Sequence, residues 1–164
     1  MIELQVVTAD DWPTWRELRL AALAEAPYAF GSRLADWQGE GDTEERWRAR
    51  LDIAGSYHLI ALLDGKPAGM AGGVPGPRDG LVELISMWVG TRARGRGVGD
   101  RLVGAVGEWA VRGRATVLQL AVAPGNEHAL ALYRRHGFQD TGQAGDVLPD
   151  GRRERVLVKR LSAG

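Results

Sequence analysis

Apolar residues recur along this chain with two periods, close to two residues in some stretches and close to 3.6 in others, and the switches between them mark its elements. Ile2 to Val7 is predicted as a strand. Asp10 or Asp11 then caps a helix that carries Pro13 near its first turn and runs through Trp15, Leu18, Leu20 and Leu23 until Pro27 ends it. Tyr28 to Gly41 has no clear period and reads as irregular chain or a short helix. Asp42-Thr43-Glu44-Glu45 resembles a capping box that starts a helix through Trp47 and Leu51. Two strands follow, Tyr57 to Leu63 and Ala68 to Val74, joined by the hairpin signal Asp64-Gly65-Lys66-Pro67. Beyond a loop rich in proline and glycine, Leu81 to Val89 is a strand and about Val98 to Arg112 a helix with Leu102, Val103, Val106, Trp109 and Ala110 in its apolar pattern. Val117 to Val122 is a strand, Asn126 to His136 a helix, and Phe138 to Thr141 and Arg155 to Val158 are the last two strands. The order is β-α-α-β-β-β-α-β-α-β-β, with no internal repeat or linker.

Composition narrows the classes. A chain of 164 residues with 45% hydrophobic content suits a single domain, residues 1–164, with a sizeable core. Its formal net charge is zero, so no field of one sign draws it to nucleic acid or to an anionic membrane. No apolar run approaches the roughly 18 residues of a membrane span, and Met1-Ile2-Glu3-Leu4 has no basic segment leading into an apolar one. A cytoplasmic protein with neither a nucleic-acid nor a membrane partner is expected. Cysteine is absent, which excludes disulfides, a cysteine nucleophile and thiolate metal sites. His58, His128 and His136 share no ligand spacing, so no metal is expected.

The segment Arg94-Gly95-Arg96-Gly97-Val98-Gly99, between a strand and a helix that begins with Asp100-Arg101-Leu102, has the makings of a phosphate site. Its glycines remove Cβ atoms that would hold an anion away and permit positive φ, so free N–H groups can converge on one ligand. The positive end of the helix dipole adds to that field, and Arg92, Arg94 and Arg96 bring full charges beside it. A nucleotide-hydrolysing loop would need Lys-Ser or Lys-Thr after the last glycine, where Asp100-Arg101 stands. The dinucleotide fingerprint needs glycines at positions one, three and six, which Gly95, Gly97 and Gly99 do not match.

What the segment does match is Arg/Gln-x-x-Gly-x-Gly/Ala, in Arg94, Gly97 and Gly99, and here the chain resembles the GCN5-related N-acetyltransferase (GNAT) family. A second segment agrees. After Ala123-Pro124-Gly125, Asn126 opens a helix, Tyr133 stands two turns on, and Gly137-Phe138 ends it, which is similar to the family's second cofactor element. Asn is a strong N-cap, Gly137 suits the position after the helix, and two turns place Asn126 and Tyr133 on the same side. Asn126 is compatible with a plain cap as well as a ligand contact, and Tyr133 with a core tyrosine. The resemblance implies an α/β (α+β) single-domain fold, with a mixed, mostly antiparallel sheet of six or seven strands and about four helices. It implies acetyl-CoA as cosubstrate, held by Met87, Trp88, Val89, Arg94, Gly95, Arg96, Gly97, Val98, Gly99, Asp100, Asn126 and Tyr133, with no metal.

Acetyl transfer to an amine has two proton requirements. An ordinary amine with a pKa near 10.4 must lose a proton before it attacks, which costs roughly 4 to 5 kcal/mol at pH 7. Glu83, in the strand that leads to the loop, is the carboxylate nominated as base, since apolar Leu81, Val82, Leu84 and Ile85 surround it in sequence and desolvation would raise its pKa. Histone-acetylating members of the family place a glutamate base at the matching position. A salt-bridged or edge-facing glutamate and a water chain as base stay open. Another family position for a base, on the strand before Asn126, is held by Gln119 or Ala121, which cannot serve. The departing thiolate needs a donor, which the resemblance assigns to Tyr133, while the backbone N–H at Val89 polarises the thioester carbonyl. That strand is expected to splay from Val117 to Val122 and free its amides for the pantetheine arm.

The acceptor, a small-molecule or peptide amine, is not legible. The resemblance places its contacts in Ala26 to Ser32 and about Gly142 to Arg152, with Tyr28, Phe30, Trp37 and Trp47 as pocket walls or core, and Glu40, Asp146 and Asp150 as cation-attracting groups or solvated surface. A homodimer through an exposed edge at Arg155 to Val158 is expected. The other class of function open to the chain is a non-catalytic acyl-CoA-binding sensor.

Overall fold

Strands that read as unbroken apolar runs do so because their sheet is covered on both faces. In the computed structural model of the chain, which describes residues 1–25, 34–148 and 150–161, the elements are β1 (Ile2–Val7), α1 (Trp12–Glu25), α2 (Glu44–Leu51), β2 (Tyr57–Leu63), β3 (Lys66–Pro75), β4 (Leu81–Val89), α3 (Val98–Arg112), β5 (Val117–Val122), α4 (Glu127–Arg135), β6 (Gln139–Val147) and β7 (Arg153–Arg160). They form a seven-stranded sheet in the order β1-β2-β3-β4-β5-β7-β6, in which β4 and β5 are the parallel pair and the other neighbours are antiparallel. The expected element order and mixed sheet are present.

Alternation along the strands divides the core. Leu59, Ala61 and Ala71 join the cluster under α3 and α4, with Leu102, Val106 and Leu130. The intervening Ile60 and Met70 join Trp15, Leu18, Leu23 and Trp47 of α1 and α2 on the other face. Each large apolar side chain so buried contributes about 1.5–3 kcal/mol.

Local chemistry sets most boundaries. Asp64 and Gly65 both take positive φ, 52° and 83°, as a two-residue hairpin turn demands. Thr43 caps α2 by accepting from the Arg46 amide. At α1 the expected cap is corrected: Thr8 accepts from the Asp10 amide, Asp11 accepts from the Thr8 amide at 2.8 Å, and a 3₁₀ turn over Ala9–Asp11 precedes the helix. Thr8 has the extended backbone a cap requires, and Asp11 completes a reciprocal box. Pro27, Tyr28, Phe30 and the rest of residues 26–33 lie outside the described residues.

One further expectation is corrected. Arg155 to Val158 is no edge: β7 is bonded to β5 on one side and β6 on the other. The outer strand is β6, whose polar, glycine-containing sequence hid its length, and it leaves β7 no free ladder for a second subunit. Of the two readings for Trp37 and Trp47, core is the one that holds. Both are buried in the α1–α2 core, 4.5 Å apart between ring centres.

Candidate active site

Gly95 and Gly97 take φ of 77° and 84°, which turns the chain sharply into α3. Gly97 caps the helix with no side chain to offer. Arg101 is the first residue of the helix whose amide reaches a main-chain acceptor, the Gly97 carbonyl at 3.1 Å. The amides of Val98, Gly99 and Asp100 have no acceptor among the described residues, and Val98, Gly99 and Asp100 all line a cleft of about 1100 Å³. Unpaired N–H groups at a helix N-terminus, with the dipole behind them, form an anion site. Space at Gly99 is tight: a Cβ there would stand 3.2 Å from Leu132 Cδ2, which would have to give by a few tenths of an ångström.

The three arginines of this loop part company. Arg94 Nε donates to the Val89 carbonyl at 3.1 Å, and its guanidinium pairs with Glu25 at the end of α1. Arg94 therefore straps the loop to β4 and α1. Arg92 and Arg96 are exposed, and Arg96 alone of the nominated residues is not part of the cleft wall. Its charge acts on Asp64 instead. Asp100 accepts from Arg135 at 3.2 Å and lies 3.0 Å from His136 Nε2. Burial is the largest single influence on its carboxyl and pulls upward, yet the bonds from His136 and Arg135 outweigh it and hold the pKa down.

The cleft exists because two strands part. β4 and β5 pair from Leu81–Val117 to Glu83–Gln119 and no further. A bulge helps to turn β4 away: Ser86 has φ 57°, and the β3–β4 register slips between Met70 and Gly72. Beyond it, the Gly90 amide bonds to Ala68 of β3 at 2.7 Å, whereas the Val89 carbonyl points away from β3 to Arg94. N–H and C=O of one strand residue point to the same side, so the Val89 amide faces the gap. Met87, Trp88 and Val89 line the cleft there.

On the opposite wall, Asn126 Oδ1 accepts from the Ala129 amide at 3.3 Å and starts α4, which carries Tyr133 to the cleft. The cap and core readings of these residues hold, and both residues also line the cleft. Asn126 is a cap that also lines the cleft, and Tyr133 is 6% exposed, with its ring edge-on to Phe138 at 5.8 Å. Its hydroxyl bonds to no described residue, and burial pushes its pKa well above the usual tyrosine range. Glu83 lines the cleft and forms no salt bridge among the described residues.

Several residues of this cleft escaped the sequence reading. Arg19 and Arg50 both line it, Arg19 at 4% exposure. Burial, then the nearby charge of Arg50, brings Arg19 down to about 10, and burial lowers Arg50 as well. Arg50 donates to the Ser86 hydroxyl at 3.4 Å. The signal was available: Arg19 lies one turn from both Trp15 and Leu23, and Arg50 one turn from Trp47, so each interrupts a buried stripe. Glu154 of β7 also lines the cleft, and burial, then the like charge of Asp146, raises its pKa. Nothing in its alternating strand marked it. His58, 1% exposed and edge-on to Trp15, is brought to about 4 by burial and by Arg50, so it is neutral near pH 7. Among the described residues no cluster of metal-ligating side chains forms, and no helix is long and apolar enough to cross a membrane.

Residues 12–138 match the family model "Acetyltransferase (GNAT) family". No curated protein matches the chain in sequence. Among solved structures, a GNAT-family acetyltransferase from Streptococcus pneumoniae is similar over 99% of this chain and 100% of its own, with TM-score 0.81 and 22% identity. A GCN5-related N-acetyltransferase from Kribbella flavida is similar over 98% of each chain, with TM-score 0.79 and 24% identity. A putative acetyltransferase from Salmonella typhimurium, solved with its cofactor acetyl-CoA, is similar over 100% of this chain and 95% of its own, with TM-score 0.76 and 19% identity. With a glycine-turned helix end, a splayed strand pair and a family match across most of its length, the chain belongs to the GNAT acetyltransferase family and is an N-acetyltransferase enzyme.

Proposed function

We propose that this protein transfers the acetyl group of acetyl-CoA to a primary amine by direct attack. One observation carries the reading: Val98, Gly99 and Asp100, whose amides have no acceptor among the described residues, line the same cleft as Val89, Tyr133 and Glu83. The amides, with the Gly95 and Gly97 turn, hold the diphosphate. The pantetheine arm lies along the free edge of β4 at Met87, Trp88 and Val89, where it takes the place of the missing β5 partner. Asn126 positions α4 through its cap, and Arg94 fixes the loop.

The acceptor amine gives its proton to Glu83, and its lone pair forms a bond to the thioester carbonyl carbon. The Val89 amide stabilises the oxyanion that develops. Collapse breaks the C–S bond, the second ammonium proton passes from the nitrogen to the departing sulfur through the Tyr133 hydroxyl, which burial keeps protonated, and coenzyme A leaves as the thiol. Holding both substrates in one cleft supplies much of the acceleration. Glu154 is a second base in this scheme, because burial already raises its pKa toward the useful range.

Thiol release from acetyl-CoA across a panel of primary amines tests the proposal. Amine-dependent release is expected. Binding of coenzyme A with no release by any amine would reassign the chain to an acyl-CoA-binding role.

A further inference from the structure

The acceptor end of the cleft has two walls of opposite charge. Arg19 of α1 and Arg50 of α2 stand on one, and Asp146 of β6 and Glu154 of β7 on the other, with Glu83 on β4. The charge that goes unanswered is that of Arg50. Among the described residues Arg50 pairs with no carboxylate, and its bond is to the neutral hydroxyl of Ser86. Burial is what acts on Arg50, while the charge that acts on Glu154 is another acid, Asp146. Arg50 on one wall and Glu154 on the other thus face the cleft without an opposite charge among the described residues.

A guanidinium half-withdrawn from water and left without an anion is costly unless a ligand supplies one. Its planar fork matches a carboxylate or phosphonate oxygen pair. An acidic wall attracts an ammonium before that group loses its proton. Arg50 stands beside the bulge residue Ser86, just ahead of the strand edge where the acetyl group is proposed to lie. We infer that the acceptor is a small zwitterion, a primary amine that also bears an oxyanion, seated with its anion on Arg50 and its amine toward Glu83 and Glu154. This rests on the acetyltransferase reading above and adds the acceptor's chemical class.

The test uses matched acceptors with the intact protein and acetyl-CoA, read by thiol release. Free amino acids are compared with their carboxamides, in which only the anion is lost, and with aminoalkylphosphonates of the same length. The carboxamide's amine is the less basic and the more easily freed, so chemistry alone favours it. The inference expects an oxyanion-bearing member to exceed its carboxamide by about tenfold or more in kcat/KM, chiefly through KM. The better of the carboxylate and phosphonate arms identifies the oxyanion. R50A is expected to bring that ratio toward one and R50K to restore part of it, with melting curves confirming that both variants fold. Carboxamides that match or exceed the anionic members, or a ratio unmoved by R50A, would overturn the inference and leave acetyl transfer standing. No release with any amine would remove both.

Discussion

The amide of Arg101 bonds to the carbonyl of Gly97 at 3.1 Å, and in doing so it sets which amides of α3 stay free for a ligand. Gly97 is in the left-handed region with open space where a Cβ would go, Ile2 Cδ1 being 4.0 Å away. G97A therefore acts through backbone strain, about 1–2 kcal/mol, and relieving it moves the amides off the ligand. Calorimetry should show coenzyme A binding weakened roughly five- to thirtyfold. G104A is the control within the same helix: nothing lies within 4 Å of its Cβ. It should raise stability by roughly 0.5–1 kcal/mol and leave cofactor affinity as it was.

Tyr133 gives a separate readout. Its hydroxyl bonds to no described residue while its ring packs on Phe138, so Y133F keeps the packing and loses the donor. Turnover should fall at least about tenfold, with the melting temperature unchanged and coenzyme A affinity within a fewfold. An unaltered kcat would take Tyr133 out of the chemistry.

Glu83 and Glu154 are distinguished by pH. The variant that removes the base loses most rate at low pH, where the acceptor amine is most protonated, and recovers as pH rises and the amine frees itself. E83Q is expected to behave so; if E154Q does instead, the base is Glu154. Stability gives an independent sign. The carboxyl of Glu154 is raised in the fold, so its ionised form opposes folding. E154Q should melt higher than the parent near neutral pH, and the difference should vanish as acid protonates Glu154 in both states.

Asp42 couples α1 to α2. It accepts from Arg16 Nε at 2.7 Å and from Trp47 Nε1 at 2.8 Å, and these bonds, that of Arg16 first, hold its carboxyl at about 2. The unfolded value is about 3.9. A depressed carboxyl pKa stabilises the fold above the unfolded value and loses that contribution as pH falls through the folded one. D42A should lower the melting temperature at pH 7, and the gap should close between about pH 4 and pH 2.

Elements and loop were legible because each rests on local signals: glycines at required spacing, Asn126 and Thr43 at cap positions, and short apolar runs at β2, β4 and β5. The acceptor end was not, because its residues come from α1, α2, β6 and β7 and meet only through the fold. Asp146 was the exception, while Arg19 and Arg50 carried a signal that the sequence reading missed, a charge on a buried stripe. The bulge at Ser86 carries no such signal, as serine rarely takes positive φ. β7 looked like an edge because one exposed face and one buried face alternate in the same way whether or not a polar strand such as β6 lies outside it.

Calorimetry with coenzyme A beside pantetheine, which has the same thiol arm and no diphosphate, tests the central claim most directly. Grip by the amides of residues 98–100 predicts clear binding of coenzyme A and at least about a hundredfold weaker binding of pantetheine. Equal affinity for the two, or no heat with coenzyme A, would contradict it.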